Sequence, residues 1–164
     1  MNSDAVRELE VVREVLATTT PDATLLLPTL LEVQHRLGHV SNACIAAAAQ
    51  HFNLSRADVY GVATFYHDLR AEPAGDHLIQ ICQAEACQAV GCRALASHAE
   101  RRLGVTMGTT SPDRRVTLEK AYCFGNCACG PTVRIDHAIH GRVTPERFDA
   151  LVAALAIGLD AVRT

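Results

Sequence analysis

The chain has 164 residues, 49% hydrophobic and 20% charged, with 15 Lys and Arg against 18 Asp and Glu for a net charge near −3. That content supplies a packed core for one ordinary domain or two small ones and excludes a disordered chain. The charge lacks the basic excess that nucleic-acid backbones and anionic lipids attract, and the longest apolar run, Ala150 to Leu159, is ten residues, about half of the ~20 a membrane-spanning helix needs. Met1-Asn2-Ser3-Asp4 lacks the charged and then apolar pattern of a secretion signal, so the expected compartment is the reducing cytoplasm. The partners expected are proteins or small molecules, with neither nucleic acid nor membrane insertion.

Residues 1–67 read as a helical domain. Val6, Leu9, Val12 and Leu16 recur at helical spacing, as do Leu27, Leu30, Gln34 and Leu37 before the stop at Gly38. Ser41 caps a third helix through the alanine run to His51, and Ser55-Arg56-Ala57-Asp58 has the spacing of a capping box opening a fourth. The pattern breaks over residues 68–76, where Pro73 and Gly75 in a polar stretch read as a linker.

Residues 77–164 read as a second domain. The spacing predicts a strand over His77–Cys82, a helix over Gln88–Leu103 stopped by Gly104, and a strand over Val116–Tyr122, with Thr106–Arg115 as a surface loop. A hairpin of Thr132–Asp136 and Ile139–Val143 turns near His137-Ala138. A final helix capped by Thr144, with Pro145 first, carries Phe148, Leu151, Val152, Leu155, Leu159 and Val162 on one face. The fold class expected is α+β: a helical bundle followed by a small sheet with flanking helices, an element order that the thioredoxin-like fold shares.

Seven cysteines in such a chain are many, and an odd number argues against a disulfide framework. Cys82 ends one predicted strand and Cys123 the next, and each is followed by a second thiol, Cys87 and Cys127. If the two strands are neighbours, both loops leave the same sheet edge and four sulfurs can converge on a small iron–sulfur core. Such a core concentrates negative charge, so its loops need backbone N–H donors and tight turns, for which Gly125, Asn126 and Gly130 suit. Cys129 is an alternative to Cys127. A four-cysteine zinc scaffold is the competing metal reading, although zinc knuckles space their ligands C-x-x-C, a spacing that no pair here has. The same absence argues against a thioredoxin-type dithiol.

Cys92 shares a helix face with Leu95, Ala99 and Leu103, and Cys44 lies in the alanine-rich helix, so both are expected to be buried packing residues. The eight histidines form no paired metal motif, and no phosphate-binding glycine pattern is present, so any nucleotide is expected on a partner chain.

Leu30-Leu31-Glu32-Val33-Gln34, Gly38, the run Val59-Tyr60-Gly61-Val62-Ala63-Thr64-Phe65-Tyr66 and both cysteine loops through Pro131 resemble the thioredoxin-like 2Fe-2S ferredoxin family related to the 24-kilodalton subunit of NADH:quinone oxidoreductase. The resemblance implies a helical first domain, a thioredoxin-like second domain, and one 2Fe-2S cluster held by Cys82, Cys87, Cys123 and Cys127. The loop Gln83-Ala84-Glu85-Ala86 departs from the Gly-Thr or Gly-Ser type of the respiratory subunits. With Phe124-Gly125-Asn126 it is more similar to the gamma subunit of soluble, NAD-dependent molybdenum formate dehydrogenases. That likeness implies a redox subunit without a catalytic residue of its own, exchanging single electrons with the FMN of a beta subunit that also binds NAD. It implies an alpha subunit carrying the molybdenum cofactor and further iron–sulfur clusters. The 2Fe-2S subunits of an NAD-linked hydrogenase diaphorase and of the respiratory enzyme are the near alternatives.

Overall fold

The structure, a computed structural model, describes residues 3–155. The chain divides into two compact units, Met1–Pro73 and Ala74–Thr164.

The first unit consists of helices α1 (Ser3–Ala17), α2 (Leu26–Leu37), α3 (Asn42–Phe52) and α4 (Arg56–Phe65), with a 3-10 turn at Ala23–Leu25. Their ends follow local chemistry. Gly38 takes φ 80° after α2 and donates its N–H to the Gln34 carbonyl, a left-handed stop that a residue without Cβ adopts freely. Ser41 Oγ accepts from the amides of Ala43 and Cys44. At α4 the capping box is complete: Ser55 Oγ accepts from Asp58 N at 3.1 Å, and the Asp58 carboxylate accepts from Ser55 N at 3.2 Å. Each such cap stabilises its helix by about 1 kcal/mol. Val12, Leu30, Val33, Val40, Phe52 and Val59 form the core, and the small Ala48 and Ala49 let α3 approach it closely.

The second unit is built on strands β1 (His77–Cys82), β2 (Thr109–Thr110), β3 (Val116–Ala121), β4 (Val133–Ile135) and β5 (Ala138–His140), with helices α5 (Glu85–Ala89), α6 (Cys92–Leu103) and α7 (Pro145–Ala154). The strand order is β2-β3-β1-β4-β5. β1 and β3 run parallel, from His77 opposite Val116 to Cys82 opposite Ala121, while the other three pairings are antiparallel. Alternation along the strands turns Ile79, Ile81, Val116, Leu118, Val133 and Ile135 into one core with Leu95 and Ala99 of α6 and Phe148 and Val152 of α7. The opposite face carries Gln80, Glu119 and Arg134 in register.

Four expectations change. The helix foreseen over Gln88–Leu103 is two, α5 starting earlier at Glu85 and α6 starting at Cys92, because Gly91 takes φ 95° and breaks the α-helical path. The loop Thr106–Arg115 contains β2, which pairs with Thr117 and Leu118. The hairpin turns at Asp136-His137, with Asp136 at φ 53° and Ile135 opposite Ala138. β3 ends at Ala121, before Tyr122. The Thr144 cap and Pro145 start stand as expected, whereas Leu159 and Val162 lie outside the described residues. No helix among the described residues is long and apolar enough to cross a membrane.

Phe148 is fully buried at the centre of this core. Phe148→Ala should therefore destabilise the chain by about 3–5 kcal/mol, read from chemical denaturation of the full chain. A loss below about 1 kcal/mol would contradict the packing described.

Candidate metal centre

Because β1 and β3 are parallel neighbours, the chain leaves both at one edge of the sheet. Cys82 is the last residue of β1, and its N–H donates to the Thr132 carbonyl at 3.0 Å. Gln83 N donates to Ala121 O at 2.7 Å, tying the start of the first loop to the end of β3. The first loop then enters α5, where Cys87 is buried and its thiol contacts that of Cys82. Cys123 follows β3 by two residues and Cys127 opens a 3-10 turn, Cys127–Cys129; their sulfurs are 3.5 Å apart. α5 packs against that 3-10 turn, so the two loops meet.

The sulfurs thus stand as two pairs, one from each loop. Among the described residues no group of three or more His, Cys, Asp or Glu side chains is gathered in the arrangement that holds a metal ion. Pairs suit a two-iron core, in which each iron takes two thiolates.

The two loops differ in electrostatics. Burial, and then the neighbouring Cys82 thiol, push the Cys87 thiol up, against hydrogen bonding from Thr132. Cys123 is exposed and pulled down, because Gly125 N donates to its sulfur at 3.4 Å and Cys127 also donates to it. Cys127 is pushed up by that same contact with Cys123.

Of the three loop residues singled out for turning, Gly125 alone is left-handed, at φ 76°. Gly130 is extended and is needed for a different reason: a Cβ there would lie 2.9 Å from Val90 Cγ2 and 3.4 Å from Cys87 Sγ. Asn126 uses its side chain, donating from Nδ2 to Thr132 Oγ1 at 3.4 Å. The unexpected left-handed residue is Cys123, at φ 77°, a conformation costing roughly 1–2 kcal/mol for a residue bearing Cβ. No sequence signal marks it.

Cys92 is buried, as expected, but its neighbours are Cys82 and Cys87, with Ala84 and Phe124 packed against the three thiols. Burial pushes its thiol up, and the charges of Cys87 and Cys82 add to this. Cys44 is buried in the first unit beside Ser41 and Glu8. Cys129 donates its N–H to Asn126 O and its carbonyl accepts from Arg142 N at 2.6 Å, while a Cβ added at Gly141 would lie 2.8 Å from the Cβ of Cys129.

The local chemistry suits a sulfur-rich anionic group. Two thiol pairs lie on loops that pack together, a backbone amide donates to one of the sulfurs, Gly130 keeps a close approach open, and Gln83 Nε2 is a buried donor without a hydrogen-bond partner among the described residues.

A helix-flanked sheet with paired thiols on adjacent strand ends defines a metal-binding redox module of thioredoxin-like architecture. The sequence profile of the Thioredoxin-like [2Fe-2S] ferredoxin family matches residues 12–156, and the chain belongs to that family. It is 34% identical over 140 residues to a subunit of NADH-quinone oxidoreductase from Rhizobium meliloti (strain 1021), spanning 85% of this chain and 83% of the relative. It is 36% identical over 120 residues to the corresponding NADH-quinone oxidoreductase subunit of Escherichia coli (strain K12), spanning 73% and 72%. In fold it is similar to a chain of an NAD+-reducing [NiFe]-hydrogenase in the air-oxidized state, with a TM-score of 0.70 at 22% identity. That likeness covers 87% of this chain and 25% of the hydrogenase chain.

In protein freed of metal, iodoacetamide should alkylate Cys123 at lower pH than Cys87. A lowered thiol keeps its thiolate to lower pH, and a raised, buried one is protonated until the medium is more alkaline. Peptide mapping across a pH series reads this, and coincident profiles for the two residues would contradict the electrostatics described.

Proposed function

We propose that Cys82 and Cys87 hold one iron of a 2Fe-2S cluster and Cys123 and Cys127 the other, and that the chain is an electron-transfer subunit of an NAD-linked oxidoreductase complex. The observation carrying this reading is the parallel register of β1 and β3, which brings two thiol pairs to one sheet edge. When bound, a 2Fe-2S cluster takes up and releases one electron at a time.

The remaining work falls to this chain's own residues. The Gly125 amide offsets charge on Cys123, Thr132 hydrogen-bonds Cys87, and Phe124 with Ala84 shields the buried thiols from water. In this role the chain relays single electrons to and from an FMN carried, with the NAD site, by a flavoprotein partner. The names of the curated relatives, which are subunits of NADH-quinone oxidoreductase, support a partner of that kind.

For the parent complex we propose a soluble molybdenum formate dehydrogenase, with this chain as its gamma subunit, beside a flavin-bearing beta subunit and a molybdenum-bearing alpha subunit. The loops Gln83-Ala84-Glu85-Ala86 and Phe124-Gly125-Asn126 support it. The competing parent is NADH-quinone oxidoreductase, favoured by the sequence identity between this chain and members of that complex. Affinity purification of the full chain from its native cells separates the two. Co-purifying molybdenum, flavin and formate:NAD activity are expected, and recovery with quinone-reductase subunits and no molybdenum overturns the formate dehydrogenase reading.

Anaerobically prepared protein should be reddish brown, with about two irons and two acid-labile sulfides per chain. Cys82→Ala and Cys127→Ala should each lose the visible absorption, whereas Cys129→Ala, Cys92→Ala and Cys44→Ala should retain it. Colourless protein with bound zinc, or a Cys127→Ala variant that keeps full iron, would refute this assignment.

A further inference from the structure

On the sheet face opposite α6 and α7, one polar row crosses three strands. Glu119 of β3, Gln80 of β1 and Arg134 of β4 are register partners. Gln80 is 3% exposed, which makes it a buried amide in the middle of a sheet. Its two ends are spent on different neighbours: Nε2 donates to Glu119 Oε2 at 3.0 Å, and Oε1 accepts from Arg134 Nε at 2.7 Å. Donation to Glu119 fixes which end of the amide faces Arg134, because only the oxygen can accept from a guanidinium. The guanidinium so held has its Cζ 5.0 Å from the centre of the Phe124 ring. Phe124 lies between Cys123 and Gly125 and packs against Cys82, Cys87 and Cys92.

This arrangement exceeds what strand pairing needs, since an apolar residue at position 80 would pack a buried sheet position without an amide to satisfy. We propose that Arg134 is a positioning residue for the redox function: fixed by Gln80 and set on the Phe124 ring of the second thiol loop, it holds a positive charge that favours the reduced state and raises the midpoint potential. The inference rests on the four-cysteine reading above. The physical basis is that reduction adds a negative charge, and a nearby cation stabilises that charge more strongly where an aromatic ring, rather than water, fills the space between them. A guanidinium on a ring face also gains cation–π attraction, which helps hold it there.

The experiment is an anaerobic, EPR-monitored redox titration of the full chain carrying its cluster, comparing wild type with Arg134→Gln, Arg134→Lys and Gln80→Met. Removing a unit charge near the site at an effective dielectric of about 20 should lower the reduced-to-oxidised ratio at fixed potential by on the order of tenfold, which is about 59 mV for one electron. Arg134→Lys keeps the charge but loses the planar fork that stacks on Phe124, so its ratio should fall less than that of Arg134→Gln. Gln80→Met releases the guanidinium and should shift the ratio in the same direction as Arg134→Gln. An unchanged ratio in Arg134→Gln with the cluster spectrum intact overturns the proposal, as does Arg134→Lys falling as far as Arg134→Gln. Should Arg134→Gln fail to hold the cluster, Gln80→Met decides alone, and an unchanged ratio there overturns it. Wild-type protein lacking a cluster overturns the four-cysteine reading itself, a result distinct from any of these.

Discussion

Parallel pairing of β1 with β3 is the constraint on which the rest of the second unit depends. With β3 reversed, its cysteine loop would leave the opposite end of the sheet from Cys82 and the thiol pairs could not meet. Register matters as much as direction. Ile79 opposite Leu118, and Ile81 opposite Val133 on the other side, bury one face, and a slip of one residue would turn those apolar side chains outward. The same apolar contacts that stabilise the core therefore align the two loops, so packing and thiol placement are one problem with one solution.

Much of the fold is legible in the sequence where local chemistry decides an end. Gly38, Ser41, the Ser55-Asp58 box and the Thr144-Pro145 start act within a turn of the backbone, and each falls where its residue type places it. What is not legible comes from longer range. Gly91 could be accommodated within a helix by periodicity alone, but the chain must turn there to enter α6 from α5, and glycine allows the left-handed angle. β2 has only two residues, so no alternation marks it; it exists because β3 offers a free edge. The turn at Asp136 depends on a non-local contact, its carboxylate accepting from Leu78 N and from His77 Nδ1 across the sheet.

For the centre, spacing in the chain carries the pairing of Cys82 with Cys87, five positions apart, and of Cys123 with Cys127, four apart, since such a step on a tight loop or helical turn returns a sulfur near its start. Three other features are invisible to spacing. Cys123 is left-handed with no residue-type signal, Gly130 serves close approach rather than turning, and Cys92 sits against the thiols although helical periodicity groups it with Leu95 and Ala99. The row Glu119-Gln80-Arg134 is likewise unreadable, because its members come from three strands whose register only the folded sheet defines.

The sheet is flanked by β2, of two residues, and β5, of three. Stubs this brief limit how the unit can be approached from its borders. Strand addition by another polypeptide draws its strength from a run of main-chain hydrogen bonds, and such margins present very few. Side chains rather than main chain are what the unit offers at its surface, among them the exposed Tyr122 beside the second loop and Val90 beside the first. The short margins also leave little template for self-association into fibres.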